Sequence, residues 1–367
     1  MKATLRQLFR GIDYVAFLCA SMLIVIGLLT VFSSSYRSGI DEFRPYFSRQ
    51  LMWALLGTVG MAAAIIIDYR FMARFSYYAY GAMLVLLLIL LIEGKEVKGA
   101  QRWISLFGFQ LQPSEFVKVT TLFALARYLD AVRERIREPR FLMVALAIAG
   151  APCGLIVIQP DLGTGLVLVA LIGGMLFAAN AKPSHMATLA GCGIAMMPIF
   201  WKSLKTYQKY RLLSFINPDI DPLGSSYQII QSKIAVGAGG LVGKGWLGGT
   251  QSQLNFLPEQ HSDFIFSVFA EEWGFVGSLI VALLYAGLLF QALKIAQSSR
   301  DFLGSMLAVG IITVVSFQVL INLLMTVGLM PVTGIPLPFM SYGGSNLLTM
   351  MACVGLLLNI KTRSHIF

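Results

Sequence analysis

Charged side chains are scarce in this sequence. They make up 13% of its 367 residues, against roughly 25% in soluble domains, and that shortage excludes a soluble globular protein. Polar and apolar residues do not alternate along ten-residue stretches, so an outer-membrane β-barrel is excluded as well. The four cysteines, Cys19, Cys153, Cys192 and Cys353, each sit inside an apolar run without CxxC or Cys/His spacing. Neither a disulfide framework nor a metal site is indicated, and they read as small core residues. There is no convincing internal repeat, no low-complexity tract and no second soluble domain.

What the sequence does have is apolar length. At 57% apolar it holds about 209 such residues, enough for about ten spans of ~20 residues each. Continuous runs lie at about 14–32, 48–67, 76–92, 114–129, 141–159, 162–179, 185–201, 264–293, 303–327 and 343–360. The expected fold class is therefore all-α, a polytopic integral membrane protein with ten transmembrane helices and a large extracytoplasmic loop at about 202–262, forming one transmembrane domain over 1–367. The first run follows Lys2, Arg6 and Arg10, is too long for a signal-peptide core and lacks a cleavage site, so it is expected to stay as the first span.

The net charge of +10, from 28 Lys and Arg against 18 Asp and Glu, would suggest nucleic acid in a soluble protein. Here it reports topology, and no nucleic-acid partner is expected. With the N-terminus cytoplasmic, the short inner segments carry Arg70, Arg74, Arg127, Arg133, Arg135, Arg137, Arg140, Lys182, Lys294, Arg300, Lys361 and Arg363. Positive residues gather on the cytoplasmic side of short loops, and an even span count places both termini there. Acids such as Asp41, Glu42, Glu93, Glu259 and Asp263 fall on the outer side, so any chemistry faces outward.

Several segments bring polar groups to membrane depth. In QPSEFVK at 112–118, Glu115 and Lys118 share a helical face, either as a structural ion pair or as a holder of an anionic substrate. Asp161, in QPDLGT at 159–164, reads first as an N-cap. KSLKTYQKYRLLSF at 202–215 interleaves Lys202, Lys205, Lys209 and Arg211 with aromatics, a pattern suited to membrane lipid with anionic head groups. GAGGLVGKGWLGG at 237–249 holds seven glycines. Lys244 is followed by Gly245, which breaks the P-loop pattern, and no strand–helix unit surrounds GKGWLG; a tight re-entrant turn is expected. Glu259, His261 and Asp263 cluster before a long apolar helix carrying Glu271 and Glu272. Asp263 is either a helix cap with Ser262 or a general base, while at least one of Glu271 and Glu272 is expected to face a polar cavity or a partner. In PVTGIPLPFMSYGGSN at 331–346, prolines and glycines break the backbone, which at such depth must be buried in protein or line a cavity.

Taken together, GAQRWI at 99–104, QPSEFVK, QPDLGT, GKGWLGGTQSQLNFLPEQHSDFIF at 243–266, EEWGFVG at 271–277 and PVTGIPLPFMSYGGS at 331–345 resemble the SEDS (shape, elongation, division and sporulation) family of bacterial cell-wall proteins. GAQRWI and GTQSQLNFLPE look more like its elongation branch than its division branch. The resemblance implies a ten-span peptidoglycan glycosyltransferase of the inner membrane that polymerises lipid II, the undecaprenyl-pyrophosphate-linked disaccharide pentapeptide, on the outer face. It implies Asp263 as the catalytic carboxylate, Glu115 and Lys118 as a buried pair, and Arg49 and Arg102 along a polar cavity. Lys244 and Glu259 complete the candidate substrate-binding set. Gln260 and Ser262 stand where many relatives have Arg and Thr, which puts a guanidinium beside Asp263 in doubt. Implied partners are a class B penicillin-binding protein and the elongation machinery.

The donor sugar is α-linked and the glycan β-1,4-linked, so a single inverting displacement with one base is the economical route. Asp263 would take the acceptor's proton while Arg49, Arg102 and Lys118 stabilise the departing pyrophosphate. A divalent ion, Mg2+ or Mn2+, suits a diphosphate, although no ligand spacing is visible. Two alternatives stay open: a lipid II flippase or other transporter, since broken helices and intramembrane charges also describe a carrier, and a non-catalytic scaffold for a penicillin-binding protein.

Overall fold

The computed structural model describes residues 11–36, 46–93, 95–97, 100–106, 109–217, 221 and 224–366. Each apolar run falls on a helix: α1 Tyr14–Ser35, α2 Tyr46–Ile66, α4 Ser76–Glu93, α5 Pro113–Val132, α6 Pro139–Ile158, α7 Leu162–Ala178, α8 Pro183–Ser203, α12 Ile265–Ser298, α13 Phe302–Thr326 and α14 Gly344–Ile366, with the short α3 Tyr69–Arg74 after α2. Prolines at the first position of α5, α6 and α8 suit helix starts, where their missing N–H costs nothing. Among the described residues six helices (α1, α2, α6, α12, α13, α14) can cross a membrane by length and composition, or seven if α8 and the helix after it, which meet at 120°, form one broken span. That is fewer than the run count gives. Helices α4 and α7 are shorter apolar helices, and α5 carries Glu115, Lys118, Arg127 and Asp130.

Two segments depart from the sequence reading. The 202–262 segment, expected as one long loop, is about half helical, with α9 Thr206–Ile216, α10 Ser225–Ala238 and α11 Thr250–Gln253 among its described residues. No glycine or proline interrupts 206–216, so its alternating cationic and aromatic residues coil as an amphipathic helix. Between α4 and α5 the chain makes a small antiparallel sheet, β1 Lys95–Val97, β2 Ala100–Leu106 and β3 Phe109–Leu111, with Lys95 opposite Trp103 and Ile104 opposite Leu111. Its strands are too short for their alternation to stand out among long apolar runs.

The burial pattern is that of a protein whose solvent is lipid. Glu115, Lys118, Glu271, Glu272, Asn322, Asn346 and Asn359 are buried, while Val59, Ile92 and Phe177 on helix surfaces are 68%, 78% and 79% exposed. Helix α8 is apolar yet buries none of its residues. In water these outer faces would carry a large hydrophobic penalty, whereas hydrocarbon accepts them. Cys353 is buried in the core and Cys19 and Cys153 pack half-buried against it, while Cys192 lies on the outside of α8, so the core reading holds for three of the four. Close helix contact uses small residues: a β-carbon at Gly355 on α14 would lie 2.5 Å from the Met61 carbonyl oxygen on α2, an approach only glycine permits.

One end of the bundle is basic and stitched shut. Gly11 packs against Thr362, so the stretch ahead of α1 meets the last turns of α14 there. Arg363 pairs with Asp68 at 3.0 Å, Asn359 Nδ2 donates to the last carbonyls of α2, including Ala64 at 2.8 Å, and Arg127 donates to the Ala73 carbonyl at 2.9 Å. Asp301, the N-cap of α13, accepts from Arg70 Nε and the Tyr69 hydroxyl, each at 2.8 Å, and from the Gly304 amide at 3.0 Å. Burial alone would raise its pKa; these three donors and the Arg70 charge together hold the Asp301 carboxyl below its ordinary range. The site lies at the opposite end.

Candidate functional site

The stretch ahead of α12 decides where Asp263 sits. Glu259 adopts a left-handed backbone (φ 50°), which turns the chain so that its carbonyl accepts the Ser262 amide at 3.1 Å and its carboxylate the Ser262 hydroxyl at 3.4 Å. The carbonyls of residues 261–263 are then each held from outside. His261 O accepts the Tyr342 amide at 2.8 Å, Ser262 O accepts the Ser341 hydroxyl at 2.6 Å, and Asp263 O accepts Asn322 Nδ2 at 2.9 Å. The same Asn322 amide donates to Ile335 O at 2.8 Å, clamping the 331–343 segment to the Asp263 segment from the buried face of α13. Gln50 on α2 closes the far side, donating to Ser341 O at 3.1 Å and accepting from the Gly343 amide at 3.2 Å. Buried main-chain groups need such partners where no water reaches them, and here the partners also fix a loop.

Held this way, Asp263 is not a helix cap. The N-cap position of α12 is Phe264, and it has no side-chain capping bond. Asp263 is half-buried, and the Oδ2 atom lies 3.7 Å from where a β-carbon on Gly334 would stand. Gly334 has φ +71°, in the region where a side chain is strained. The carboxylate thus faces backbone kept bare of any side chain.

Arg49 joins the site through Tyr342. Burial pushes the Tyr342 phenol above its ordinary pKa, and the hydrogen bond and charge of Arg49 partly offset that rise, so the phenol stays protonated near neutrality. Tyr46 stacks on the His261 ring at 4.2 Å and meets Tyr342 edge-on at 5.0 Å. His261 therefore packs and offers backbone rather than leading the chemistry. Arg102 lies in β2 with its side chain outside the described residues.

Glu115 and Lys118 form the expected buried pair, with Nζ 2.8 Å from Oε2. Asn346 Nδ2 donates to the same oxygen at 2.8 Å, and the Gln112 amide donates to Ser345 Oγ at 2.9 Å, so the first turns of α5 and α14 meet just beyond the 331–343 segment. Asp161 is the N-cap of α7 as expected, accepting from the Thr164 amide at 3.2 Å and from Gln112 Nε2 at 3.1 Å.

Lys244 belongs to a different structure. Helix α12 breaks at Gly274 (φ 64°, ψ −161°), and the glycine-rich turn fills the break by exchange of partners. Amides of Phe275 and Val276 leave the helical ladder for the carbonyls of Gly240 and Leu241 at 2.9 and 3.0 Å, while the carbonyls of Glu271 and Glu272 accept the amides of Lys244 and Gly245, each at 3.0 Å. No hydrogen bond is lost, and a β-carbon at Gly243 would lie 2.1 Å from Glu272 O. The buried Glu271 carboxylate takes Lys244 Nζ at 2.7 Å and the Thr250 amide at 2.9 Å, and the Ser33 hydroxyl donates to Glu272. Both acids are taken up inside the fold, and Lys244, expected to bind substrate, is committed to Glu271 because a buried carboxylate requires a cation.

The sequence reading missed Asn322, Ser341, Gln50 and Asn346. Their one signal is an amide or hydroxyl within or beside an apolar run, a known device for binding helices together. Among the described residues no group of three His, Cys, Asp or Glu side chains could hold a metal ion.

Comparison with known proteins settles the family. A family model described as cell cycle protein, covering FtsW, RodA and SpoVE, matches residues 13–366. The chain belongs to this family. The FtsW/RodA/SpoVE assignment is the SEDS family expected from the motifs, and it spans the whole fold. The chain is 39% identical to a probable peptidoglycan glycosyltransferase FtsW of Trichlorobacter lovleyi, over 98% of this chain and 96% of that one. It is 38% identical to the peptidoglycan glycosyltransferase MrdB of Escherichia coli K12, over 93% of this chain and 92% of that one. In three dimensions it is similar to a chain solved in work on the structural coordination of polymerization and crosslinking by a peptidoglycan synthase complex, with a TM-score of 0.82, 30% identity, and coverage of 97% of this chain and 99% of that one. Members of the family are thus named both for division and for wall synthesis, and this chain shares their helical membrane architecture.

Proposed function

We propose that this protein is a peptidoglycan glycosyltransferase that polymerises lipid II into β-1,4 glycan strands for cell elongation and rod shape, with Asp263 as the general base. The observation that carries the reading is the grip on Asp263: three consecutive carbonyls are fixed from two other elements, and its carboxylate faces the bare backbone of Gly334. A base must be held to within a fraction of an ångström of the proton it takes, and a merely structural acid requires no such frame. Relatives named as glycosyltransferases across nearly the full chain support the same chemistry.

In the reaction, the acceptor sugar's 4-hydroxyl gives its proton to the Asp263 carboxylate as its oxygen bonds to the anomeric carbon of the donor. The bond between the anomeric carbon and the pyrophosphate's bridging oxygen breaks, its electron pair stays on that oxygen as the pyrophosphate leaves, and configuration inverts from α to β. Arg49, joined to the site through Tyr342, is a cation for the substrate's charge, and the Glu115–Lys118 pair holds the neighbouring helix starts together. A divalent ion, Mg2+ or Mn2+, would enter with the diphosphate, since such ions need only one or two protein carboxylates when phosphate supplies the rest.

Ten spans are proposed, with α4, α5 and α7 crossing alongside the others. The basic, stitched end is cytoplasmic with both termini, in keeping with the distribution of positive charge, and Asp263 opens to the outer face of the inner membrane. A class B penicillin-binding protein is the proposed partner, supported by the likeness to a chain of a peptidoglycan synthase complex; such a partner would crosslink the strands made here. The test is polymerisation of purified lipid II in liposomes, with moenomycin present to silence contaminating enzymes. Wild type is expected to make polymer and folded Asp263→Asn none; equal polymer from both would retire Asp263 as the base.

A further inference from the structure

We infer that Arg211 is the guanidinium that receives the donor's diphosphate as it leaves. The sequence pattern had assigned this residue to the lipid surface. In the structure a β-carbon on Gly334 would stand 3.7 Å from Asp263 Oδ2 and 3.8 Å from Arg211 Nη1. The carboxylate and the guanidinium therefore face the same bare stretch of backbone, separated by no more than those two lengths laid end to end. That interval suits a displacement. A base lies about 3 Å from the hydroxyl it deprotonates, the attacking oxygen about 3 Å from the anomeric carbon, and a guanidinium about 2.8 Å from a phosphate oxygen. A bent path of acceptor oxygen, anomeric carbon and leaving oxygen spans the gap, with the negative charge collecting at the arginine end.

Arg211 is half-buried and is held for this work. Its guanidinium lies over the Tyr207 ring at 5.7 Å from the centroid, and the Tyr207 hydroxyl donates to Pro160 O at 3.4 Å. That carbonyl belongs to the turn that carries Asp161, and a β-carbon on the adjacent Gly163 would meet Thr333 O at 2.9 Å, so α9, the α6–α7 turn and the segment bearing Gly334 share one wall. An arginine anchored by one ring keeps its fork of N–H donors for a ligand, and two phosphates match that fork better than one. A surface arginine that met only lipid head groups would need no such register with Asp263.

The inference rests on the polymerase reading for its reaction but is testable without turnover. Binding of undecaprenyl pyrophosphate and of undecaprenyl monophosphate would be compared in detergent for wild type, Arg211→Gln and Tyr207→Leu, with phosphatidylglycerol as competitor to reveal plain head-group attraction. Wild type is expected to prefer the pyrophosphate. Arg211→Gln is expected to lose about 10- to 100-fold in pyrophosphate affinity, the weight of a charge-assisted hydrogen-bonding partner, with monophosphate binding little changed. Tyr207→Leu is expected to lose about 2- to 5-fold in the same direction, and it serves alone should the arginine variant not fold. Unchanged pyrophosphate preference in a folded variant, or equal displacement of all ligands by phosphatidylglycerol, would overturn the assignment. A wild type that binds pyrophosphate through Arg211 yet makes no polymer would sink the polymerase reading and leave the diphosphate site standing.

Discussion

Removing Lys118 should cost far more than removing the pair. Lys118 and Glu115 are 2% and 4% exposed with their charges 2.8 Å apart, and the Asn346 amide is the further donor on the shared oxygen. In Lys118→Met the carboxylate keeps one neutral donor and loses its counter-charge; in Glu115→Gln the ammonium loses its anion. Breaking a buried pair from one side costs about 3–5 kcal/mol, whereas replacing both charges by groups of similar volume is near neutral. For a chain of this length an unfolding entropy of about 2 cal/mol/K per residue makes each kcal/mol worth a little over 1 °C. Each single variant should therefore melt about 4–6 °C lower in detergent, and Glu115→Gln/Lys118→Met should recover most of that loss. The double-mutant cycle then gives a coupling of about 5 kcal/mol or more, because two losses of about 3–5 kcal/mol are set against a small loss in the double variant, and so large a coupling marks residues in direct contact. Additive losses would refute the reasoning, because they would mean that each side chain is stabilised by something other than its partner.

Other outcomes follow from single contacts. Gly334→Ala should lower polymerisation and melt about 1–2 °C below wild type, since it places a side chain at φ +71° at a cost of about 1–2 kcal/mol and fills the space before Asp263; wild-type turnover with a full-sized β-carbon there would contradict the geometry. Asn322→Leu should leave the carbonyls of Asp263 and Ile335 without their shared donor, lowering kcat more than it raises KM, and a pure KM effect would speak against a positioning role. For Asp301 the sign runs as for any depressed carboxyl: its stabilisation is complete above the unfolded value of about 4 and is lost as pH falls through the lower folded value. Melting temperature should thus fall more steeply below pH 4 in wild type than in Asp301→Asn, and parallel profiles would remove Asp301 from the acid response. Chelation by EDTA should slow polymerisation if a divalent ion travels with the diphosphate, and full activity in EDTA would dismiss Mg2+ and Mn2+ together.

Much of this architecture was legible because lipid makes simple demands. Long apolar runs must be helices when no water can satisfy the backbone, and all of the runs read from the sequence are helical. The Glu115–Lys118 pair was legible for the same reason: two opposite charges three residues apart inside an apolar helix have to meet. Legibility failed where a contact joins residues distant in sequence without charge or period to announce it. Asn322 is one amide within the run at 303–327, and nothing local says that it holds Asp263 and Ile335 at once. Lys244 misled in the opposite sense, because glycines around a lysine resemble a phosphate cradle, while its partner Glu271 appears only once the broken helix is folded against the turn. Arg211 was read by its neighbours in sequence, all suited to a membrane surface, and its position opposite Asp263 depends on a segment more than a hundred residues later.

The two charged groups of the site are fixed by different means, and the difference suits their roles. The backbone of Asp263 is fixed through carbonyls gripped by Tyr342, Ser341 and Asn322, a grip that does not depend on the proton its carboxylate takes up. Arg211 is located by its side chain, through the Tyr207 ring. Its helix α9 follows α8, which buries no residue, so the arginine end of the site rests on less packing than the aspartate end. For an inverting displacement that arrangement is economical: the proton acceptor needs fixed geometry, because small misplacement there costs rate steeply, whereas the leaving-group site must follow a diphosphate as it withdraws and then release it into the membrane.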